Sequence, residues 1–438
     1  MTTIYALSSG HGKSGVAVIR ISGPAAGDTL AKLGGSLPQP RVATLRTLRD
    51  PADGTIIDHS LTLWFPAPAS FTGDDLAEMH VHGGRAVVEA LFGALAGMVG
   101  LRPAEPGEFT RRAFENGKMD LTEAEGLADL IDAETEAQRR QALRQAGGSL
   151  RLLYDGWRLR LIGALASIEA ELDFSDEGDV PEEVAAGARS LAGALREEIA
   201  AHLADKRGGE ILRDGLRVVI AGPPNAGKSS LMNALARRDV AIVSAEAGTT
   251  RDVIEVRLDL GGFPVILMDT AGIREAAGEI EREGVRRTLE RAQEADLVLW
   301  LDDATAPENV SREKFGANGA RIIEAVNKVD LAPAGNGGAL ALSVKTGQGM
   351  DRLIERLAAE VRDAADIGEN PAISRARHRR ELERCAAGLS RFLAGDFAEL
   401  ELRAEDLRDS ATALGRLGGR VDVEDILDQI FAEFCIGK

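Results

Sequence analysis

One short stretch of this sequence has the residue types and spacing of a phosphate-binding loop. It runs Gly222-Pro-Pro-Asn-Ala-Gly-Lys228-Ser229, between an apolar run and a helical pattern. Its glycines let backbone N–H groups surround phosphate oxygens, and the following helix adds its positive N-terminal end. Lys228 can reach the β- and γ-phosphates and Ser229 can ligate Mg²⁺. The pattern therefore predicts binding of a nucleoside triphosphate.

Three further motifs follow in order, each behind a strand-like run: Asp269-Thr-Ala-Gly272, Asn327-Lys-Val-Asp330 and Ser343-Val-Lys345. The Asp330 carboxylate can accept two hydrogen bonds from guanine, whose N1–H and N2–H₂ donors adenine lacks. Each motif alone is a weak signal, but their order predicts a guanine-specific domain with ligands at the carboxyl ends of its strands. The predicted contacts are Asn225, Ala226, Gly227, Lys228, Ser229, Ser230, Asp269, Thr270, Ala271, Gly272, Asn327, Lys328, Asp330, Ser343, Val344 and Lys345.

The residues that would activate water differ from those of Ras-type GTPases. Ile273 follows the Asp269 motif, where Ras-type proteins have a glutamine that orients the attacking water. Three carboxylates, Glu279, Glu281 and Glu283, lie a little further on and are candidates for that role. For two of the three we favour a solvated helix start instead.

A second cation is suggested by Asn225, whose amide oxygen would lie near the α- and β-phosphates. Such a cation would supply positive charge to the transition state in place of an arginine finger. The loop from Val243 to Asp252 resembles a switch, in which Thr250 could complete the Mg²⁺ shell and backbone carbonyls could surround a monovalent ion.

Composition limits the class of protein. The 438 residues suffice for two or three domains, and the formal charge of −18 predicts a surface that repels nucleic acid. Any RNA contact would need a local basic patch or a partner protein. Only two cysteines occur, and no apolar run approaches the length of a membrane span, so we expect a cytoplasmic protein.

The pattern along the chain predicts a multidomain α+β and α/β protein. Residues 1–118 form an α+β unit with strands near 16–21 and 61–65 and a helix near 85–98. Residues 119–210 and 371–438 have helical spacing, and the P-loop domain of residues 211–370 is inserted between them.

Outside the P-loop domain, few residues point to chemistry. Arg20 and Lys118 could be surface charges or anion ligands, and their spacing does not decide between these. His80 and His82 alternate onto one strand face, where ordinary packing is favoured over a metal site because no third ligand is evident.

Several motifs resemble the MnmE (TrmE) family of tRNA-modifying GTPases over essentially the whole chain. These motifs are Gly15-Val-Ala-Val-Ile-Arg-Ile-Ser-Gly23, Ser70-Phe-Thr-Gly-Asp74, His82-Gly-Gly84, Pro106-Gly-Glu-Phe-Thr110, Gly248-Thr-Thr-Arg-Asp252 and the terminal Cys435-Ile-Gly-Lys438. The resemblance implies an N-terminal folate-binding and dimer-forming domain, a helical domain and an inserted Ras-like GTPase domain.

The resemblance also implies ligand sets and roles. K⁺ would be held by Asn225, Ser244, Glu246 and Thr249, and Mg²⁺ by Ser229 and Thr250. The GTP contacts would therefore also include Ser244, Thr249 and Thr250. Glu281 would position the attacking water. The catalytic residues would be Glu281, Asn225, Lys228 and Cys435. A tetrahydrofolate derivative (5,10-methylene or 5-formyl) would bind Arg20, Glu78, Lys118 and Lys438, with Cys435 facing it.

The activity implied is GTP-dependent addition of a carboxymethylaminomethyl or aminomethyl group to C5 of the tRNA wobble uridine. A homodimer would act in a heterotetramer with the FAD protein MnmG (GidA). An alternative is a ribosome-assembly or regulatory GTPase related to Era or Der. That alternative predicts an RNA-binding GxxG module or a second GTPase domain, and neither is visible in the sequence.

Overall fold

The computed structural model describes residues 2–10, 12–173, 182–205, 207–238, 240–242, 255–269, 295–306, 320–333, 338–365, 368, 371–396, 399–421 and 424–438. The chain divides into two units. Unit 1 comprises Met1–Ala128, Ala146–Arg158 and Thr412–Lys438. Unit 2 comprises Asp129–Gln145 and Leu159–Ala411.

The described strands and helices are as follows. The strands are β1 Thr3–Leu7, β2 Ser14–Ser22, β3 Thr44–Arg49, β4 Ile56–Phe65, β5 Leu76–Gly83, β6 Leu101–Pro103, β7 Leu216–Ala221, β8 Glu255–Asp259, β9 Pro264–Asp269, β10 Leu297–Asp303, β11 Arg321–Asn327 and β12 Leu340–Ala341. The helices are α1 Ala26–Gly34, α2 Arg85–Ala96, α3 Glu108–Glu115, α4 Leu121–Asp132, α5 Glu136–Ala146, α6 Ser149–Asp173, α7 Glu182–Leu203, α8 Gly208–Asp214, α9 Lys228–Ala236, α10 Met350–Ala364, α11 Ala376–Ala394, α12 Leu400–Gly418 and α13 Glu424–Ala432. Among these helices none is long and apolar enough to cross a membrane.

Unit 1 contains a sheet with the strand order β3-β4-β5-β2-β1-β6. Side chains of a strand alternate between its two faces, so β2 buries Ala17, Ile19 and Ile21 in one core with Leu30 of α1 and Leu91 of α2. Arg20, between two of these core residues, therefore lies on the opposite face. The strand and helix predicted near 16–21 and 85–98 are both present, and the helix ends at Ala96.

The C-terminal segment of the chain lies on unit 1. Phe431 and Phe434 of the α13 region pack in one cluster with Leu121. Gly437 has φ +100° and comes so near β1 that a Cβ there would lie 2.0 Å from the carbonyl oxygen of Leu7. Only glycine fits this position. The last residues are thereby brought to the end of β1.

Unit 2 contains a second sheet, ordered β12-β11-β10-β7-β9-β8, in which only β8 is antiparallel to its neighbour. Every residue of β10 is buried, as expected for a central parallel strand covered on both faces. The parallel strands β7, β9, β10 and β11 end at the same edge of the sheet, so the motifs that follow them lie together.

Helices of unit 2 contact each other and the sheet through polar groups. Arg379 of α11 donates to the Leu203 carbonyl of α7 at 3.0 Å. Helix α5 is attached to the turn between β8 and β9, where the Ala137 N–H donates to the Gly262 carbonyl at 3.0 Å. Just before α5, Glu134 pairs with Arg257 of β8 at 3.1 Å. Within the residues 119–210 predicted to be helical lies α7, in which Leu195 and Ile199 are buried.

Candidate functional site

The predicted phosphate-binding loop joins β7 to α9. Gly222 has φ +146°, and a Cβ there would lie 2.1 Å from the carbonyl oxygen of Leu301 on β10. Gly227 precedes α9 in the left-handed conformation. The Lys228 Nζ donates to the carbonyls of Gly222 and Pro223 at 2.9 and 2.8 Å. The lysine is thus held across its own loop, within reach of the space that the loop encloses.

The rim of the loop presents oxygen-bearing side chains to solvent. Asn225 has φ +63° and is exposed, and Ser229 is exposed in the first turn of α9. Neutral amide and hydroxyl oxygens are ligands that suit hard cations such as Mg²⁺ and K⁺. Among the residues described, no group of three or more His, Cys, Asp and Glu could hold a metal ion. Asn225 and Ser229 therefore offer oxygen ligands of this kind at the rim of the loop.

The guanine motif is connected to the phosphate-binding loop by Asn327. Its amide Nδ2 donates to the Ala226 carbonyl at 2.8 Å, and its Oδ1 accepts from the Val344 N–H at 3.0 Å. On the other side, the Ser343 hydroxyl donates to the Asp330 carboxylate at 2.7 Å. Residues from three separate motifs therefore form one hydrogen-bonded group, and Asp330 is fixed in orientation. Lys345, next along the loop, is exposed.

Other predicted nucleotide and cation contacts cannot be placed. The backbone of Asp269 ends β9 at the same edge as the loop, and its side chain lies outside the described residues. Also outside them are Ser244, Glu246, Thr249, Thr250, Thr270, Ala271, Gly272, Ile273, Glu279, Glu281 and Glu283.

A second group of predicted site residues lies on unit 1, on the face of the sheet away from α1 and α2. Arg20 of β2 donates to the Glu78 carboxylate of β5 at 2.9 and 3.1 Å. The Arg20 guanidinium also lies 5.3 Å from the Phe71 ring centroid and 5.7 Å from that of Phe109. Glu78 and Phe71 line a cavity of about 280 Å³, together with Arg41, Phe65, Ala69, Ser70 and Leu76.

The terminal tail contributes to the same place. Burial, followed by the charge of Arg20, lowers the pKa of the Lys438 ammonium, whereas Glu78 and Cys435 act in the opposite direction. The Ser8 hydroxyl donates to the Gly437 carbonyl at 2.7 Å and holds the tail there, while Cys435 is exposed. Lys118 instead donates to the Pro68 carbonyl at 3.0 Å. Arg20, Glu78 and Lys438 are thus brought together, whereas Lys118 contacts Pro68, the neighbour of the cavity-lining Ala69.

Sequence reasoning did not identify Arg41 and Phe65 as part of this cavity. The Arg41 guanidinium lies 5.5 Å from the Phe65 ring centroid and donates to the Ala69 carbonyl. Neither residue lies in a recognised motif, and only the pairing of β4 with β5 brings Phe65 opposite Leu76. The two histidines of β5 do not form a metal cluster with other described residues, and His82 pairs with Asp58 at 2.8 Å.

Comparison with known proteins decides the family. A model of the TrmE N-terminus, described as a GTP-binding protein, matches residues 3–118, and one of the MnmE helical domain matches residues 121–435. A tRNA modification GTPase MnmE from Parvibaculum lavamentivorans is 58% identical over 100% of both chains. The chain belongs to the MnmE family. A second MnmE, from Maricaulis maris, is 55% identical, again over 100% of both chains.

The G domain of the FeoB iron transporter from T. maritima is a solved structure similar to part of this MnmE-family chain. It is 25% identical, with 33% of this chain and 98% of that chain covered and a TM-score of 0.25. This membership confirms the predicted family and the predicted fold class with an inserted P-loop GTPase domain. It also confirms the prediction that the chain is a GTP-hydrolysing enzyme.

Proposed function

We propose that this chain is a K⁺-activated GTPase that acts with the FAD protein MnmG on the wobble uridine of certain tRNAs, adding a carboxymethylaminomethyl or aminomethyl group at C5. The observation that supports it best is the full-length similarity to tRNA modification GTPases, in a chain with both a guanine-nucleotide site and a separate charged cavity. The Era- or Der-like alternative has no such support, because the N-terminal domain matches that of TrmE.

In the nucleotide half of this proposal, Lys228 exchanges its two carbonyl partners for phosphate oxygens when GTP binds. Backbone N–H groups at the start of α9 bind the same phosphates, because the first N–H groups of a helix have no partner within it. Ser229 and Thr250 would hold Mg²⁺, which neutralises charge that develops on the phosphates. Asn225, Ser244, Glu246 and Thr249 would hold K⁺, and Glu281 would orient the attacking water.

In the folate half, the cavity beside Arg20 and Glu78 would hold a tetrahydrofolate derivative, which supplies a one-carbon unit when bound. The aromatic rings of Phe71 and Phe65 offer surfaces for a flat heterocycle, and the Glu78 carboxylate can accept from its N–H groups. Lys438 and Arg20 add positive charge for a ligand that carries carboxylates. Lys118 and Cys435 would complete this site.

The proposed organisation places the folate domain at 1–118, the helical domain at 119–210 and 371–438, and the GTPase domain at 211–370. We infer a cytoplasmic homodimer that assembles with MnmG into a heterotetramer. MnmG would carry FAD and much of the tRNA contact, which suits a chain with a formal charge of −18.

The potassium requirement predicts that GTP turnover in KCl exceeds that in NaCl of equal concentration by on the order of 10²-fold, because K⁺ replaces a transition-state cation. Asn225→Ala should remove most of this difference. Asn233→Ala, which changes an exposed asparagine of α9, is the matched control and should keep it. Steady-state phosphate release measures both, and equal wild-type rates in the two salts would exclude the potassium mechanism.

The folate site predicts that Lys438→Met weakens binding of 5-formyl-tetrahydrofolate about tenfold, since a charge-assisted contact is lost. Calorimetry on the full chain measures this without the modification reaction. GTP turnover should stay unchanged. Arg85→Met removes an exposed arginine of the same unit and should bind folate normally. Wild-type affinity in Lys438→Met would show that the tail does not contact the ligand.

A further inference from the structure

Asp303, the last residue of β10, belongs to none of the nucleotide motifs, yet its carboxylate is bonded on both oxygens. One oxygen accepts from the Lys328 ammonium at 2.5 Å. The other accepts from the backbone N–H of Thr305 at 2.8 Å and from its hydroxyl at 2.7 Å. Only 8% of the Asp303 side chain is exposed, against 31% for Lys328. This ion pair is therefore largely shielded and fixed in direction.

Lys328 is the second residue of the guanine motif and has an uncommon backbone conformation. Its φ is +66°, in the left-handed region that residues other than glycine seldom adopt. A backbone bond from the Ala304 N–H to the Asn327 carbonyl, 3.0 Å long, joins the end of β10 to the same motif. Asp303 and Lys328 thus connect two strand ends immediately beside Asn327, whose amide links the phosphate loop to the guanine loop.

The pairing determines which part of Lys328 can face a bound nucleotide. Its charge is directed to Asp303, so the four methylene groups remain for contact with an apolar or flat surface. Burial alone would raise the pKa of the Asp303 carboxyl, but the hydrogen bonds from Lys328 and Thr305 hold that pKa below its usual range. The carboxylate therefore stays charged and the lysine stays anchored at neutral pH.

We propose that Asp303 is a positioning residue for guanine-nucleotide binding, which holds the Lys328 side chain as an apolar wall for the base. The proposal rests on the guanine specificity proposed above and extends it to a residue outside its motifs. Without Asp303, Lys328 gains rotamer freedom that binding must then remove, and its ammonium is free to move from the wall position. GTP and GDP should lose affinity equally, since both carry the same base.

The test compares Asp303→Asn, Lys328→Met and the double variant with wild type, by titration of fluorescent GDP and GTP-analogue derivatives and by steady-state kinetics. Each single variant should raise Kd and KM about tenfold, with kcat at saturating GTP within twofold of wild type. The double variant should be no weaker than the worse single variant, because both substitutions break the same ion pair that positions the side chain. Asp303→Glu, which keeps the charge, should recover part of the affinity.

Asp302→Asn is the matched control, because Asp302 is also buried at the end of β10 and accepts from the Trp300 indole N–H at 2.7 Å. It should bind nucleotide within twofold of wild type. Wild-type affinity in Asp303→Asn would overturn the proposal, as would additive losses in the double variant or a loss confined to kcat. The preference of wild type for GDP over ADP is measured before any variant. If wild type shows no such preference, the proposed guanine specificity itself is wrong.

Discussion

Asp330→Asn is expected to convert a guanine-specific site into one that prefers xanthine nucleotides. The wild-type carboxylate, held by the Ser343 hydroxyl at 2.7 Å, accepts from guanine N1–H and N2–H₂. An asparagine places an amide N–H donor at that position. Opposite guanine this donor meets the 2-amino group, which is itself a donor, so neither group has an acceptor. Opposite xanthine it meets the C2 carbonyl, which accepts the hydrogen bond. Unpaired polar groups in a bound complex are strongly unfavourable, so the ratio of GTP to XTP affinity should fall on the order of 10³-fold or more.

Competition of GTP, XTP and ATP against a fluorescent nucleotide measures this change. Asp351→Asn is the control, because this acidic residue of α10 is exposed and pairs with Arg238 at 2.5 Å. Its specificity should match that of wild type. Retention of the GTP preference in Asp330→Asn would mean that the base is recognised elsewhere and that the guanine site has been assigned to the wrong residues.

Glu281→Ala is expected to reduce the hydrolytic rate by roughly 10²- to 10⁴-fold, the usual contribution of a residue that positions or deprotonates the nucleophile. Binding of GTP should change less than twofold, because the phosphate loop and the guanine motif are untouched. Single-turnover hydrolysis and nucleotide titration separate the two quantities. A loss of hydrolytic rate without a loss of GTP affinity is expected only if the glutamate acts on water and not on the nucleotide.

Glu279→Ala and Glu283→Ala are the matched controls for that experiment, since the same acidic segment supplies all three residues. Both should hydrolyse GTP at close to the wild-type rate. A normal rate in Glu281→Ala, or a comparable loss in either control, would move the catalytic role to another residue.

The meeting of the predicted nucleotide motifs at one edge of the sheet could be foreseen from sequence, because each motif is local. Lys228 follows its glycines within one loop, and each later motif follows a strand-like run, so a parallel sheet must bring them to one edge. The link that Asn327 makes to Ala226 is a consequence of that arrangement. The order of the short motifs therefore predicts this arrangement.

Contacts between residues far apart in sequence were not predictable in this way. The Asp303–Lys328 pair depends on the neighbouring positions of β10 and β11, and no local pattern distinguishes Asp303 from the adjacent Asp302. Likewise, Arg20 meets Glu78 only through the register of β2 with β5. Attachment of α5 to the β8–β9 turn through Gly262 also depends on tertiary packing. The periodicity of apolar residues predicts the helices and strands. Which polar groups come into contact depends on strand register and on how helices pack against the sheet.

In the proposed function, GTP hydrolysis by this chain drives modification of the tRNA wobble uridine. Its most direct test is mass spectrometry of wobble nucleosides from cells that lack the protein, with complementation by wild type or by Lys228→Ala. We expect the C5-substituted uridines to be lost in the deletion strain, to return with wild type and to stay absent with Lys228→Ala. An unchanged nucleoside profile in the deletion strain, or full recovery with Lys228→Ala, would contradict it.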